Sequence, residues 1–316
     1  IRDSLKVVCS LANRPRGGRS ICFWLPHMLQ SLWMLVAAFF FACMSALVKQ
    51  CSLEAGTFEI VFFRAFLTLI FISVVMRMEK IPFKTHYPGK HVFRSICGAV
   101  AFTCWFAATA HLPLGTAVTL SYSGPIFIAL ATIGLYLKIG KRVPWLLVFS
   151  VLLGFIGICV MMHPTVSSDT LTWALTALVT GVLAPFIFMT VQKLGSLGEP
   201  SARIVFYFML VSTLWGLAGV FVVEGGFHSH GTLLWVMLLG VGICSTLAQL
   251  TMTQAYAKGN LLITACFHFS TIPMAEFLSV FLFGDSLTVD ALIGMALIFG
   301  AGILSSIPSK HAHHHP

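Results

Sequence analysis

Residues 261–285, LLITACFHFSTIPMAEFLSVFLFGD, form an apolar run that is long enough to cross a bilayer, yet they enclose His268, Pro273 and Glu276. A carboxyl group inside a membrane span is costly and usually faces a cavity or a partner. Proline removes one helix hydrogen bond and bends the axis. A broken helix with an ionisable group at membrane depth predicts a functional site between helices inside the membrane.

The composition of the whole chain excludes an ordinary soluble domain. Of the 316 residues 58% are hydrophobic and only 9% are charged, whereas a soluble domain carries about 25% charged residues. We therefore predict an all-α protein that crosses the membrane many times. The net charge of +9 does not indicate a nucleic-acid partner, because the basic residues lie in short segments between apolar runs, as in cytoplasmic loops.

Ten segments have the length and apolar character of membrane spans, which need about 20 residues each. They cover residues 29–49, 56–76, 91–110, 114–137, 143–162, 171–192, 201–223, 232–256, 260–283 and 287–307. With the amino terminus placed in the cytoplasm, nearly all lysines and arginines fall in inner segments. One such segment holds Arg77, Lys80, Lys84, Lys90 and Arg94. The positive-inside rule then predicts that both termini are cytoplasmic, as in a protein of the bacterial inner membrane.

The chain divides into four parts by composition. Residues 1–27 are a basic cytoplasmic extension, 28–163 and 164–308 are two five-helix halves, and 309–316 are a His-rich tail. We expect an artificial tail or a solvated end there rather than a metal site. Nine cysteines without a C-x-x-C pair or metal spacing to histidine predict neither a disulfide nor bound zinc.

A shift of 144 residues superposes similar sequences. The tripeptide Ile-Val-Phe at 60–62 falls on the same tripeptide at 204–206, and Gly98 falls on Gly242. Because the shift covers five spans, an odd number, the second half enters the membrane from the opposite side. This predicts two inverted-topology five-helix repeats, as in carriers that work by alternating access with a substrate held near the midplane.

The chain also resembles the drug/metabolite transporter superfamily, in particular the EamA-type transporters. The residues that carry the resemblance are EIVFFRAF (59–66), LPLGTAVTLSYSGPIFIAL (112–130) and IPMAEFLSVFLFGDSLT (272–288). The resemblance implies a ten-helix carrier over roughly residues 29–307. It does not name a substrate, because this superfamily moves amino acids, nucleotide sugars and amphipathic drugs.

The two halves differ in how well they match the family. GDSL at 284–287 is similar to the Gly-Glu-Xaa-Leu with which the family commonly ends the ninth helix. The matching KIGKR at 138–142 departs from the glutamate that the family often has in the first half. A role for that acid is therefore not carried over to this chain.

Seven residues are predicted to bind substrate because they are polar or aromatic at membrane depth: Trp105, Tyr122, Ser123, Gln249, Tyr256, His268 and Glu276. Glu276 is also the candidate for proton coupling, and the alternative is a structural carboxyl bonded to another helix. His268 is either a titratable group or a hydrogen-bonded core histidine. The aromatic rings either stack on a substrate or face lipid.

Four further residues are assigned structural or gating roles: Arg64, Pro125, Pro185 and Pro273. Arg64 is expected to pair with Glu59 or to cap carbonyl groups of a neighbouring helix. The prolines are expected to kink their helices and to open a central space.

These patterns together predict a secondary transporter, with export favoured, for small amphipathic metabolites such as amino acids. No Walker A motif occurs, so no nucleotide or other cofactor is expected. Coupling to protons through Glu276 and uncoupled facilitation both stay open.

A nucleotide-sugar or organophosphate antiporter is disfavoured, because only Arg64 is a clear cation at mid-membrane. An intramembrane enzyme is disfavoured because G-x-S-x-G and H-E-x-x-H are absent. A non-transporting membrane interaction protein remains a third alternative.

Overall fold

The computed structural model describes residues 28–52, 54–112, 119–140, 143–163, 168–228, 231–283 and 288–305. All regular secondary structure in these ranges is helical. The basic extension (1–27), the His-rich tail (309–316) and the family-like segment 284–287 lie outside the described residues.

The described helices are α1 (Trp33–Cys51), α2 (Thr57–Met78), α3 (Pro88–His111), α4 (Gly124–Lys138), α5 (Trp145–Met162), α6 (Leu171–Ser196), α7 (Ser201–Val222), α8 (Thr232–Lys258), α9 (Leu261–His268), α10 (Thr271–Phe283) and α11 (Val289–Ser305). Seven helical stretches in the described ranges have the length and composition of membrane spans. They are Met28–Val48, Thr57–Met78, Thr119–Lys138, Leu171–Ser196, Ser201–Val222, Thr232–Lys258 and Leu261–Leu278. The predicted polytopic all-α membrane protein is confirmed.

The predicted break in the stretch 261–285 is present between α9 and α10. Pro273 lies in the first turn of α10, where its missing N–H costs no helix hydrogen bond. Further along a helix its ring would clash with the carbonyl of the residue four positions earlier, Phe269. The amide of Ser270 instead donates to the carbonyl of Phe267, three residues back, at 3.1 Å. The regular helix is therefore interrupted at 269–270.

The helix α4 begins with a comparable break. Residues 119–121 are helical, 122–123 form a turn, and α4 then starts at Gly124 with Pro125 in its first turn. The amide of Ser123 donates to the carbonyl of Leu120, again three residues back, at 3.3 Å. Each half of the chain thus contains one span that is interrupted just before a proline.

Helices from the two halves pack against each other in pairs. The main pairs are α1 with α8, α2 with α7, α3 with α6 and α5 with α11. In the last pair the backbones meet at Gly157 and Gly294. A Cβ atom added to Gly294 would lie 2.5 Å from the carbonyl oxygen of Gly157. Small residues of this kind let membrane helices approach closely.

A buried ion cluster ties the α2–α3 loop to the start of α7. The carboxylate of Glu199 accepts hydrogen bonds from Thr85 Oγ1 at 2.7 Å and from Arg203 Nη1 at 2.9 Å. Arg203 Nε also donates to the Pro82 carbonyl at 2.8 Å. Burial raises the pKa of Glu199, but the hydrogen bonds and the charges of Arg203 and His91 outweigh this and lower the pKa below its usual value.

Replacement of Glu199 by glutamine is expected to destabilise the protein by about 1–3 kcal/mol at neutral pH. A carboxyl with a lowered folded-state pKa stabilises the fold above its unfolded-state pKa, and this contribution is lost as the pH falls through the folded-state value. The gap between wild type and Glu199→Gln should therefore close at acid pH. Thermal unfolding in detergent across a pH series measures this.

The matched control is Glu79→Gln, which removes an exposed carboxyl from the α2–α3 loop. This variant should unfold like the wild type at every pH. A constant gap between wild type and Glu199→Gln down to acid pH would contradict the assigned ion pair.

Candidate functional site

A cavity of about 140 Å³, here named the central cavity, lies among α1, α3, α4, α6, α7, α8 and α9. Its lining residues are Phe41, Met44, Ser45, Arg94, Gly98, Ala101, Phe102, Trp105, Ser121, Tyr122, Gly124, Pro125, Thr180, Ala184, Ile187, Phe188, Phe208, Gln249, Met252 and His268. Residues from both halves of the chain form the wall. Most of the wall is apolar or aromatic, with a small number of polar groups, as is usual for small-molecule sites.

The helix α3 contributes one stripe of this wall. It begins with Pro88 at its first position, a favoured start because the missing N–H has no helical partner to lose. Arg94 therefore lies in the second turn of a helix. Gly98, Phe102 and Trp105 follow at spacings of four, four and three residues, which place their side chains on the same helix face.

Two fully buried arginines flank two phenylalanines beside the cavity. The Cζ atom of Arg64 lies 4.0 Å from the centre of the Phe102 ring, and that of Arg94 lies 3.8 Å from the centre of the Phe208 ring. The two rings are 6.0 Å apart. These four residues are named the arginine–phenylalanine stack. Each desolvated cation–ring contact contributes about 2 kcal/mol. Arg94 lines the central cavity, whereas Arg64 lies behind Phe102.

Several polar atoms on the cavity wall have no hydrogen-bond partner among the described residues. Nε and Nη1 of Arg94, both side-chain amide atoms of Gln249 and the hydroxyl of Ser121 are buried without a hydrogen bond to the described residues. An unsatisfied buried polar group costs about 1–3 kcal/mol. The wall therefore presents a cation, an amide that can donate and accept, and a hydroxyl to whatever enters the cavity.

An aromatic cluster holds the ring of His268 at the cavity. His268 lies 5.4 Å from the ring of Tyr122 and 6.0 Å from that of Phe188. Phe188 in turn stacks on Tyr256 at 3.9 Å. The hydroxyl of Tyr256 is 3.5 Å from Nδ1 of His268. This arrangement leaves His268 half-buried on the wall, with Tyr256 as its support.

The central cavity brings together four of the seven predicted substrate-binding residues: Trp105, Tyr122, Gln249 and His268. Pro125, predicted as a structural residue, also lies on the wall. Ser123 is adjacent to the wall, and its hydroxyl donates to the carbonyl of Leu120 at 2.6 Å. Tyr256 lies behind Phe188 and does not line the cavity.

Glu276 lies outside the central cavity. It is half-buried on α10, which packs against α1. Of the predicted prolines, Pro273 opens α10, and Pro185 lines a second cavity of about 580 Å³, named the lateral groove. The lateral groove lies among α3, α4 and α6, with Lys90 and Lys193 in its wall.

The expected pairing of Arg64 with Glu59 is not formed. The guanidinium of Arg64 makes no hydrogen bond to the described residues and stacks on Phe102 instead. Glu59 instead lies near the α7–α8 loop, where one carboxylate oxygen is 3.5 Å from Nδ1 of His228. The reason is geometric, because residues five positions apart do not face each other on a helix.

Arg94 lines the central cavity but was not among the candidates predicted from the sequence. Its position among the basic residues at the start of the third predicted span suggested an inner segment, but in the structure it is buried and lines the cavity. Two signals were available in the sequence. Pro88 marks a helix start, and the helical spacing of Arg94, Gly98, Phe102 and Trp105 marks a common face.

A bundle of membrane-spanning helices around a partly polar central cavity is the architecture of a membrane transporter. The EamA-like transporter family matches residues 28–163. The chain is also 30% identical to the pseudopaline exporter CntI of Pseudomonas aeruginosa, over 74% of this chain and 80% of that protein. It therefore belongs to the EamA-like transporter family of the drug/metabolite transporter superfamily, and it is a transporter and not an enzyme.

More distant relatives agree with this assignment. The chain is 26% identical to a riboflavin transporter of Vibrio cholerae, covering 82% of this chain and 86% of the relative. It is 20% identical to an S-adenosylmethionine uptake transporter of Rickettsia bellii, covering 89% of this chain and 94% of the relative. A crystal structure with 14% identity superposes with a TM-score of 0.75 over 87% of this chain and 96% of that one, which supports the fold alone.

Proposed function

We propose that the chain is a secondary active transporter that exports small amphipathic metabolites such as amino acids, with the central cavity as its substrate site. The observation that carries this proposal is the cavity wall. Polar atoms of Arg94, Gln249 and Ser121 that make no hydrogen bond to the described residues lie there among aromatic rings. Such a wall suits a ligand with one polar and one apolar end. The relative named as an exporter supports the direction of transport.

The transport cycle is alternating access between two inverted repeats, residues 28–163 and 164–308. In this arrangement α1 corresponds to α6, α2 to α7 and α3 to α8. The observed pair α1–α8 then corresponds to the pair α6–α3, which is also observed. In the same manner the pair α2–α8 corresponds to the observed pair α7–α3. In the same way, the contact of α4 with α6 corresponds to that of α10 with α1. This pairing supports a two-fold relation between the halves, and a shift of five spans inverts the second half.

The protein lies in a bacterial inner membrane with both termini in the cytoplasm. The concentration of lysine and arginine in the predicted inner segments supports this orientation. Protons drive export through Glu276, the half-buried carboxyl on α10, because an ionisable group within a span is functional by default.

Filling the central cavity is the direct test of the substrate site. Ala101 is buried on the wall of the cavity, so Ala101→Phe places a ring in the space that the substrate occupies. We expect the rate of amino-acid flux in proteoliposomes to fall by more than about tenfold. Elution as a single species in size-exclusion chromatography would show that the variant is folded.

The control variant is Ala131→Phe, which adds the same side chain in the lateral groove. Its flux should remain near that of the wild type. Equal flux through wild type and a folded Ala101→Phe protein would rule out the central cavity as the substrate path.

A further inference from the structure

We infer that the central cavity selects an organic monoanion, a carboxylate attached to an aromatic or apolar body, and that the guanidinium of Arg94 binds the carboxylate. This inference rests on the proposed function, because it names the substrate class of the same cavity. Its basis is the charge of the cavity wall together with the two guanidinium nitrogens of Arg94 that make no hydrogen bond within the described part of the chain.

The charge on the described wall comes from one side chain. Apart from Arg94 the described lining residues include no aspartate, glutamate, lysine or arginine. Arg94 is 2% exposed, and its Nε and Nη1 atoms are buried without a hydrogen bond to the described residues. A buried cation without a counter-charge is unfavourable, and a bound anion removes that cost.

Among the described residues, the surroundings of Arg94 orient the guanidinium without neutralising its charge. One face of the guanidinium lies on the ring of Phe208 at 3.8 Å. At the other end of the arginine–phenylalanine stack stands Arg64, which has the same sign of charge. Stacking on Phe208 orients the guanidinium plane, and its edge is the part that forms paired hydrogen bonds with a carboxylate.

The number and kind of wall groups favour a monoanion over a phosphate. A single guanidinium balances one negative charge, and a phosphate dianion would leave a second charge uncompensated in an apolar cavity. The free amide of Gln249 and the hydroxyl of Ser121 suit neutral polar groups of the ligand. The rings of Trp105, Tyr122 and Phe188 suit its apolar body.

Ligand-induced thermal stabilisation of the purified full chain tests this inference with pairs of probes that differ in charge but little in shape. The probes are phenylacetate with phenylacetamide, indole-3-acetate with indole-3-acetamide, phenyl phosphate as the dianion and phenethylamine as the cation. We expect the carboxylates to raise the melting temperature at millimolar concentration. Each amide should require at least about tenfold more ligand for the same shift.

Three arginine variants test whether the preference for carboxylates depends on Arg94. Arg94→Gln should abolish the preference for carboxylate over amide, and Arg94→Lys should restore part of it. Arg64→Gln is the matched control, because Arg64 is equally buried and stacked but does not line the cavity, and it should keep the preference. If Arg94→Gln does not fold, the ranking of probes on the wild type and on Arg94→Lys still decides the question.

Four results would overturn the inference. The amides or the amine could stabilise the protein as well as the carboxylates do, or phenyl phosphate could bind more tightly than either carboxylate. The preference for carboxylate could survive Arg94→Gln, or no probe could stabilise the protein at all.

Flux measurements separate this inference from the proposed function. Carboxylate binding without flux of any solute would reject transport and keep the anion site. Flux of a neutral or cationic solute that survives Arg94→Gln would reject the anion site and keep transport.

Discussion

Replacement of Gly294 by valine is expected to prevent stable folding of the transporter. A Cβ atom at this position would lie 2.5 Å from the carbonyl oxygen of Gly157 and 2.7 Å from the Cβ of Met161. The first of these atoms belongs to the backbone, so the clash cannot be relieved by a side-chain rotation. The helices α5 and α11 would have to separate along one of the main pairings of the fold. We expect a loss of about 3 kcal/mol or more.

The yield of monodisperse protein after detergent extraction and the melting temperature of that fraction measure this effect. The control is Gly300→Val on the same helix, because a Cβ atom at Gly300 meets nothing within 4 Å. Both variants make the same change in intrinsic helix propensity, so their difference isolates the contact with α5. Equal yields and melting temperatures for the two variants would show that α5 and α11 do not meet at Gly294.

Replacement of Glu276 by glutamine is expected to abolish uphill export driven by a proton gradient while leaving substrate binding intact. Glu276 is half-buried on α10 and does not line the central cavity, so the substrate is not expected to contact it. Its carboxyl lies in the span that is interrupted at 269–270. A change in its protonation can therefore bias how α10 packs against α1 without altering the cavity wall.

Flux and binding are measured separately in this experiment. Proteoliposomes with and without an imposed pH gradient report on coupling, and ligand-induced thermal stabilisation reports on binding. Glu54→Gln is the control, because Glu54 is an exposed carboxyl at the turn between α1 and α2, and its gradient response should match the wild type. If Glu276→Gln responds to the gradient like the wild type, Glu276 does not carry the coupling proton.

Predictions that depend on the local chain agree with the structure. The length and apolar character of the segments predicted a polytopic helical membrane protein, and Pro273 predicted the interruption of the span that contains it. Both predictions depend only on interactions of the backbone with lipid and with residues nearby in the sequence. Lipid requires the backbone to satisfy its own hydrogen bonds, and proline removes a donor wherever it stands.

The identity of the site residues was predicted less completely. Trp105, Tyr122, Gln249 and His268 line the central cavity, and each is unusual in an apolar span. Glu276 is equally unusual, yet it lies outside the cavity. The sequence reveals that a polar residue is at membrane depth, but the face it occupies relative to its neighbours depends on how the helices are rotated against each other.

Arg94 shows most clearly the difference between what the local sequence indicates and where a side chain lies in the bundle. Its basic neighbours in the sequence indicate a cytoplasmic segment, whereas α3 begins early enough, at Pro88, to carry Arg94 into the bundle. The ring that supports its guanidinium, Phe208, comes from the other half of the chain. No local pattern can report a contact between residues that are more than one hundred positions apart.

The sequence by itself determined that this protein is a polytopic helical membrane protein, because hydropathy, helix length and proline breaks act through local interactions with lipid and backbone. Only the tertiary structure decided that residues 261–285 bring His268 to the central cavity and leave Glu276 outside it. It also decided that Arg94, from another helix, supplies the charge of the described cavity wall. The composition of a cavity is set by which helix faces pack together, and that packing involves both halves of the chain at once.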